Sequence, residues 1–162
     1  MGMQAHMWLK GTKQGAIDGP SKLKGREKSF EVLAFNHEVL LPYESRTGQV
    51  SGKRVHKPVT VLKPIDEATP KLMKAITTAE HLTVEIKFYR PHPQGGASEQ
   101  HFFTVKLENA VLTSINSYMT NVAEKAPGGF GQLEQLAFIY DKITWTVQGG
   151  GEHIDSWIEP SS

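Results

Sequence analysis

The sequence predicts a mainly β fold: a compact β-barrel or sandwich of two sheets, with one α-helix at about residues 69–79 and a long protruding loop. Three observations carry this reading. They are strict apolar/polar alternation through the middle of the chain, turn-rich segments at short intervals, and a single stretch with a period of three to four residues. Leu82, Val84, Ile86 and Phe88 alternate with Thr83, Glu85, Lys87 and Tyr89, and His101, Phe103, Val105 and Leu107 alternate with Phe102, Thr104, Lys106 and Glu108. Side chains of a strand point to opposite faces in turn, so each run is a strand with one buried face. Residues 90–99 between them hold Pro91, Pro93, Gly95 and Gly96, the chemistry of a hairpin loop, so the two strands are expected to pair antiparallel.

Strand-like patterns also occupy residues 5–10, 29–41, 55–62, 110–115, 133–140, 142–147 and 153–158, giving nine short strands in all. The helix is expected within residues 66–79. There Asp66 and Thr69 provide capping chemistry, with Thr69 as the cap, and Pro70 fits a first turn whose N–H needs no partner. Leu72, Met73, Ile76 and Ala79 then form an apolar stripe. Residues 42–54 are polar, with turn signals at Thr47-Gly48 and Ser51-Gly52. Chain reversal needs only 2 to 5 residues, so a segment of this length is expected to have a task of its own. A second excursion, residues 118–132, contains Gly128, Gly129 and Gly131 and reads as a surface loop.

At 162 residues the chain suits one domain, residues 1–162, large enough to bury a core without metals or cross-links. It has no cysteine, which excludes disulfides and thiolate metal sites. Neither a signal-type apolar run at the N-terminus nor a membrane-length apolar stretch is present, so the expectation is cytoplasmic synthesis and no membrane insertion. Net charge is +1, too little for the dense positive field that nonspecific nucleic-acid binding needs. Its distribution is uneven, however. Residues 1–60 carry ten Lys or Arg against five Asp or Glu, and residues 61–162 carry eight against twelve. Such asymmetry suits complementary contact between copies of one chain.

Chemistry-bearing motifs are scarce. The seven histidines lack the paired spacings that converge on zinc, and His37-Glu38 has no second histidine to complete a zinc-protease helix. Glycines at 128–131 and 149–151 are not followed by the Lys-Ser/Thr of a phosphate loop. No G-x-S-x-G is present. His153 and Asp155 share one face of a strand and read as a surface or interface pair. Phe102, Phe103, Phe138, Tyr140 and Trp145 lack surrounding basic clusters and read as core. No catalytic residue, metal site or cofactor is expected, and the chain reads as no enzyme.

Several ordered segments resemble one family. Gly52-Lys53-Arg54-Val55-His56-Lys57-Pro58 is similar to its Arg-x-His-x-Pro segment, and the run from Lys63 through Asp66, Thr69 and Pro70 to Leu72 resembles the lead into its single helix. Lys106 to Ala110, Glu134-Gln135-Leu136, Lys142 to Thr146 and Asp155-Ser156-Trp157 resemble its closing strands and C-terminal end. This is the haemolysin-coregulated protein family of type VI secretion systems. Met1-Gly2-Met3 falls outside the match, and no C-terminal toxin domain of the kind some relatives carry is expected.

The resemblance implies a structural subunit of the secretion inner tube, exported by the machine it builds and without a signal peptide. It implies a homo-hexameric ring, stacking of rings, and small effector proteins carried in the lumen. The spike protein, contractile sheath and baseplate follow as partners. Tyr43, Glu44, Arg46, Thr47 and Gln49 on the long loop are expected to contact a neighbouring ring. Arg54, His56 and Pro58 are expected to anchor the loop base. The competing reading from the residues is a monomeric β-barrel binding module for a small ligand or single-stranded nucleic acid.

Overall fold

The computed structural model describes residues 3–96, 98–121, 123 and 131–156. Two antiparallel sheets face each other. In the first, β1 (Gln4–Gly11) is flanked on one side by β2 (Gly15–Ile17) and β3 (Phe30–Val32), and on the other by β8 (Leu82–Pro91). The first half of β9 (Glu99–Met119) follows, then β11 (Lys142–Val147) and β12 (Glu152–Ser156). The second sheet runs β4 (Ala34–Asn36), β7 (Val59–Pro64), β10 (Gln132–Ile139) and the far half of β9. A separate two-stranded ribbon pairs β5 (Val39–Leu40) with β6 (Val55–His56).

The strand β9 belongs to both sheets. Residues 99–110 pair with β8 and residues 111–119 with β10, and the bend between them falls at Asn109, whose φ is 53°. Asparagine tolerates this left-handed backbone, and a local irregularity here turns the strand from one sheet into the other. The Asn109 amide is fixed by donating to the Asp141 carboxylate. Sequence alternation suggests two strands here, at 101–108 and 110–115; the structure has one.

Elsewhere the chain is more divided than expected. Residues 29–41 form three short strands in three different pairings, and residues 55–62 are split between the ribbon and the second sheet. The split at 57–58 has a local cause, because Pro58 has no N–H to donate to a ladder. Gly19 also has a strict requirement. A Cβ there would lie 2.2 Å from the Ser29 backbone oxygen, so the crossing of residue 19 against residue 29 needs glycine.

Between the sheets lie Met7, Leu9, Ile17, Phe30, Val61, Val84, Ile86, Leu107, Leu136, Phe138 and Ile143, all buried. The helix α1 (Thr69–Thr77) contributes Leu72 and Ala75 to this core, with Ile76 packed at its margin. Met73 and Ala79 were expected in that stripe. Met73 instead faces solvent, and Ala79 lies past the helix end at φ 52°.

Capping also differs from expectation. Ala68 occupies the cap position and Thr69 is the first helical residue. Among the described residues no side chain caps the first helical N–H groups; Asp66 instead closes a turn just before the helix, its Oδ1 accepting the Ala68 N–H at 2.9 Å. The Thr69 hydroxyl donates to Glu134 at 3.0 Å and accepts the Asp66 N–H. Glu134 on β10 and Lys63 on β7 stand opposite each other and form a fully buried ion pair, which Asp66 extends at 3.0 Å from Lys63 Nζ. This cluster fixes the helix start to the second sheet.

Candidate functional site: the projecting ribbon and its base

The long loop is an extended ribbon. Beyond β5 and β6 it continues through a bridge between Tyr43 and Val50, and it closes in a turn where Gly48 N–H donates to Glu44 O at 2.8 Å and Glu44 N–H to Gln49 O at 2.8 Å. Gly48 has φ 70°, which glycine adopts without steric cost. Tyr43, Glu44, Arg46, Thr47 and Gln49 are all exposed. Within the turn, the Thr47 hydroxyl accepts the Gln49 backbone N–H and reaches the Glu44 carboxylate, so the Thr47 and Glu44 side chains and the Gln49 backbone shape the tip.

The ribbon also exposes apolar surface. Val39, Leu41, Tyr43, Val50 and Val55 are all solvent-facing, with Tyr43 68% exposed and Val50 60%. An isolated two-stranded hairpin is marginal in water, and clustered exposed apolar groups mark an interaction surface. The period-two recurrence at 39, 41 and 43 is the signal in the sequence that would have singled out these residues.

The base of the ribbon is buried and polar. His56 Nδ1 lies 2.6 Å from the Tyr140 hydroxyl, and its Nε2 lies 2.6 Å from Asp155 Oδ2. Arg54 Nε donates to the same Asp155 oxygen at 2.6 Å, and its NH2 donates to the Ser156 carbonyl at 3.0 Å. His37 Nε2 meets the Tyr140 hydroxyl from the other side at 2.8 Å. Trp145 stacks with three imidazoles, those of His37, His56 and His153. The structure thus brings Arg54 and His56 together, while Pro58 acts by ending the strand. It also pairs Asp155 with His56, not with its strand neighbour His153.

The electrostatics follow from these contacts. The Arg54 guanidinium, with the His56 hydrogen bond second among its partners, holds the Asp155 carboxyl below the usual carboxylate range. Burial, and then the Asp155 charge, push the Tyr140 hydroxyl well above its ordinary range, so it stays protonated. Burial lowers the His37 imidazole, repulsion from His56 adds to this, and a hydrogen bond to the Lys57 backbone partly offsets it. Sequence reasoning missed His37 and Tyr140, which are 103 positions apart and carry no local signal. Among the described residues no group of three or more His, Cys, Asp or Glu is placed to hold a metal ion.

Comparison with known proteins adds the family. The family described as "Type VI secretion system effector, Hcp" matches residues 6–147. The chain belongs to the Hcp family. It is 39% identical to the "Major exported protein" of Pseudomonas aeruginosa, covering 99% of this chain and 98% of that one. A crystal structure of an Hcp protein superposes with a TM-score of 0.89 at 32% identity, covering 98% of this chain and all of the other. A double mutant of Hcp1 from E. coli EAEC 042 gives 0.84 at 34% identity over 96% of this chain and 99% of that one. The secreted protein Hcp3 of Pseudomonas aeruginosa gives 0.77 at 36% identity, with 96% and 99% covered. These Hcp structures share the mainly β, two-sheet, single-helix architecture described above. In this Hcp chain no described helix is long and apolar enough to cross a membrane.

Proposed function

We propose that this Hcp chain is a structural subunit of the type VI secretion inner tube. Six copies form a ring, and rings stack through the projecting ribbon, with Tyr43, Glu44, Arg46, Thr47 and Gln49 meeting the next ring. The observation that carries this reading is the ribbon itself, whose exposed alternating apolar side chains stand on a hydrogen-bonded polar base. Among the described residues β4 and β12 each have a strand neighbour on one side only, which supports it further, since strand edges invite pairing across a subunit boundary. A patch that meets a different patch on the next copy closes into a ring under rotation and repeats along an axis.

Function in this reading is geometry, not catalysis. The subunit folds as one domain over residues 1–162, is made in the cytoplasm and leaves the cell through the assembly it builds. Small effector proteins ride in the ring lumen, and the spike, sheath and baseplate are the neighbours of the tube. The competing binding-module reading would use one of two recesses: the one lined by Phe35, Phe88 and Phe102 holds 170 Å³, below the roughly 300 Å³ at which ligand pockets begin, and the one lined by His6, Pro20, Ser21, Lys22, Leu23 and Glu31 holds 420 Å³ but presents no Phe, Tyr or Trp for stacking. The aromatic residues that would stack bases are mostly spent on packing: Phe138 and Tyr140 are buried, and Phe103 and Trp145 pack against the core.

Light scattering coupled to size exclusion tests the ring, which should elute at six times the 18.0 kDa subunit mass. Negative-stain microscopy of the same sample should show annuli. Replacing residues 43–50 by a two-glycine turn should leave rings intact while abolishing end-to-end stacking and export. A strictly monomeric protein at high concentration, or unaltered stacking without the ribbon, overturns the proposal.

A further inference from the structure

Residues 18–28 cross the outer face of the first sheet as a strap between β2 and β3. Backbone bonds close its two legs: the Gly19 N–H donates to Lys28 O at 2.9 Å, the Lys28 N–H to Ser21 O at 3.0 Å, and the Ser21 N–H to Ser29 O at 3.1 Å. Arg26 fastens the strap to the sheet. Its guanidinium donates to Gln4 Oε1 at 2.8 Å and to Glu99 Oε2 at 2.6 Å, and lies 3.7 Å from the centre of the Tyr89 ring. The Trp8 indole N–H adds a bond to Glu27 O at 3.1 Å. Between strap and sheet is a recess of 420 Å³, lined by His6, Pro20, Ser21, Lys22, Leu23 and Glu31. Recesses of this size hold small molecules.

His6 and Glu31, cross-strand neighbours on β1 and β3, form the floor. His6 brings no charge to it. Its Nδ1 lies 2.9 Å from Ser29 Oγ, and that hydroxyl gives its own hydrogen to Arg26 O at 2.6 Å, so Nδ1 is the nitrogen that carries a hydrogen. Its Nε2 faces Arg26, and burial, followed by the Arg26 charge, lowers the imidazole below its ordinary value. Two charges remain, Glu31 on the floor and Lys22 on the strap. Both line the recess, yet among the described residues neither side chain has an ion-pair or hydrogen-bond partner, and the two do not pair with each other. The Ser21 hydroxyl accepts the Leu23 N–H at 3.3 Å, and its own hydrogen has no acceptor among the described residues. Pro20 and Leu23, the latter 53% exposed, supply apolar surface. A bare anion here would face Glu31, and a bare cation would face Lys22. A neutral apolar molecule would strip water from both charges and return nothing. A molecule that carries both charges satisfies both.

We propose that the recess under the strap is a binding site for a small zwitterion of the α-amino-acid type with an apolar side chain. Its ammonium donates to the Glu31 carboxylate, its carboxylate accepts from Lys22 Nζ and from the Ser21 hydroxyl, and its side chain lies along Pro20 and Leu23. A free amino acid and a dipeptide share this chemistry. Every lining residue comes from one chain, so the site stands or falls separately from the ring and its stacking.

Saturation-transfer NMR on the full chain tests this, because it reads weak ligands on a particle of any size. Leucine and alanyl-leucine are the probes, and saturable binding is expected with a Kd on the order of 1 mM. Tighter binding of leucine assigns the site to free amino acids, and tighter binding of alanyl-leucine assigns it to peptides. N-acetyl-leucine lacks the ammonium and leucinamide lacks the carboxylate, and each should bind about tenfold more weakly, the loss of one hydrogen bond to a charged group. Glu31→Gln should weaken leucine about tenfold while leaving N-acetyl-leucine unchanged, and Lys22→Met should weaken leucine about tenfold while leaving leucinamide unchanged. A distorted recess would weaken every ligand alike, so this crossed pattern separates a lost charge from a lost shape. Absence of saturable binding of both probes up to about 20 mM overturns the proposal. So does N-acetyl-leucine or leucinamide binding as tightly as leucine, or an equal loss of all ligands in both variants.

Discussion

Two of the buried polar clusters among the described residues differ in what they join. Under the helix, Lys63, Glu134, Asp66 and Thr69 tie adjacent strands of one sheet to the helix start, with Lys63 and Glu134 sealed from solvent. At the ribbon base, His37, His56, Tyr140, Asp155 and Arg54 tie a projecting element to the body, and Arg54 and Asp155 keep 30% and 20% of their side-chain surface. The first cluster contains no histidine and is surrounded by core. The second contains two and opens toward water. A buried ion pair inside the body suits permanent structure, whereas a histidine chain at an attachment point suits adjustment.

Removing one member of the sealed pair should have the largest effect. Glu134→Ala leaves Lys63 buried without its main counter-charge, and the expected loss is about 3–5 kcal/mol in denaturant melts. Replacing both, as Lys63→Met with Glu134→Leu, should recover much of that loss. If the double variant is no better than the single, the pair contributes more than mutual neutralisation and the contrast sharpens.

Gly19→Ala comes next and probes neither cluster, so it calibrates both. Its Cβ meets backbone at residue 29, and the chain must shift, at an expected cost of about 1–3 kcal/mol by the same melts. His56→Ala should cost about 1–3 kcal/mol, from a lost pair of buried hydrogen bonds and a cavity. Its effect should concentrate in exchange of residues 37–57, while Glu134→Ala should loosen α1 and β10. Equal spread of both defects would erase the distinction drawn here.

The smallest expected effect is the pH dependence of the whole fold. Burial lowers the imidazoles of His6, His37 and His101 from their ordinary value of 6.5. The unfolded chain therefore binds more protons than the folded one as pH falls below about 6.5, and stability declines in that direction. Asp155 acts the other way round in its own range. Its depressed pKa stabilises the fold above the ordinary 3.8, and that contribution vanishes as pH drops through the folded value. Melting temperature should thus be flat above neutrality, fall gently between pH 6.5 and 5, and fall again below pH 4. A rise in melting temperature on acidification from pH 7 to 5 would contradict this.

Legibility in the sequence followed how local each cause is. The β8 and β9 strands declared themselves because one face of each is buried over many residues, so alternation is long. The division of residues 29–41 was hidden, since three short strands in different pairings keep the same composition that one strand would have. The turn at Asn109 was hidden too, because a single left-handed residue leaves the alternation on either side unbroken. For the helix, Asp66, Thr69 and Pro70 marked the right turn of chain, but Thr69 turned out to spend its hydroxyl on Glu134, 65 residues away. The ribbon was visible as an overlong polar segment, and its family resemblance located Arg54 and His56. Their partners were not visible, because Tyr140 and Asp155 reach them only through folding. Trp157 of the segment that resembles the family's C-terminal end, and Gly128 and Gly129 of the expected surface loop, lie outside the described residues.

The single strand that serves both sheets has a mechanical consequence. Prising the two layers apart would put tension directly on a covalent backbone, whose ladders run on into each layer and resist in shear instead of unzipping one bond at a time. A subunit built around such a spar can be pushed hard from one side without its halves parting.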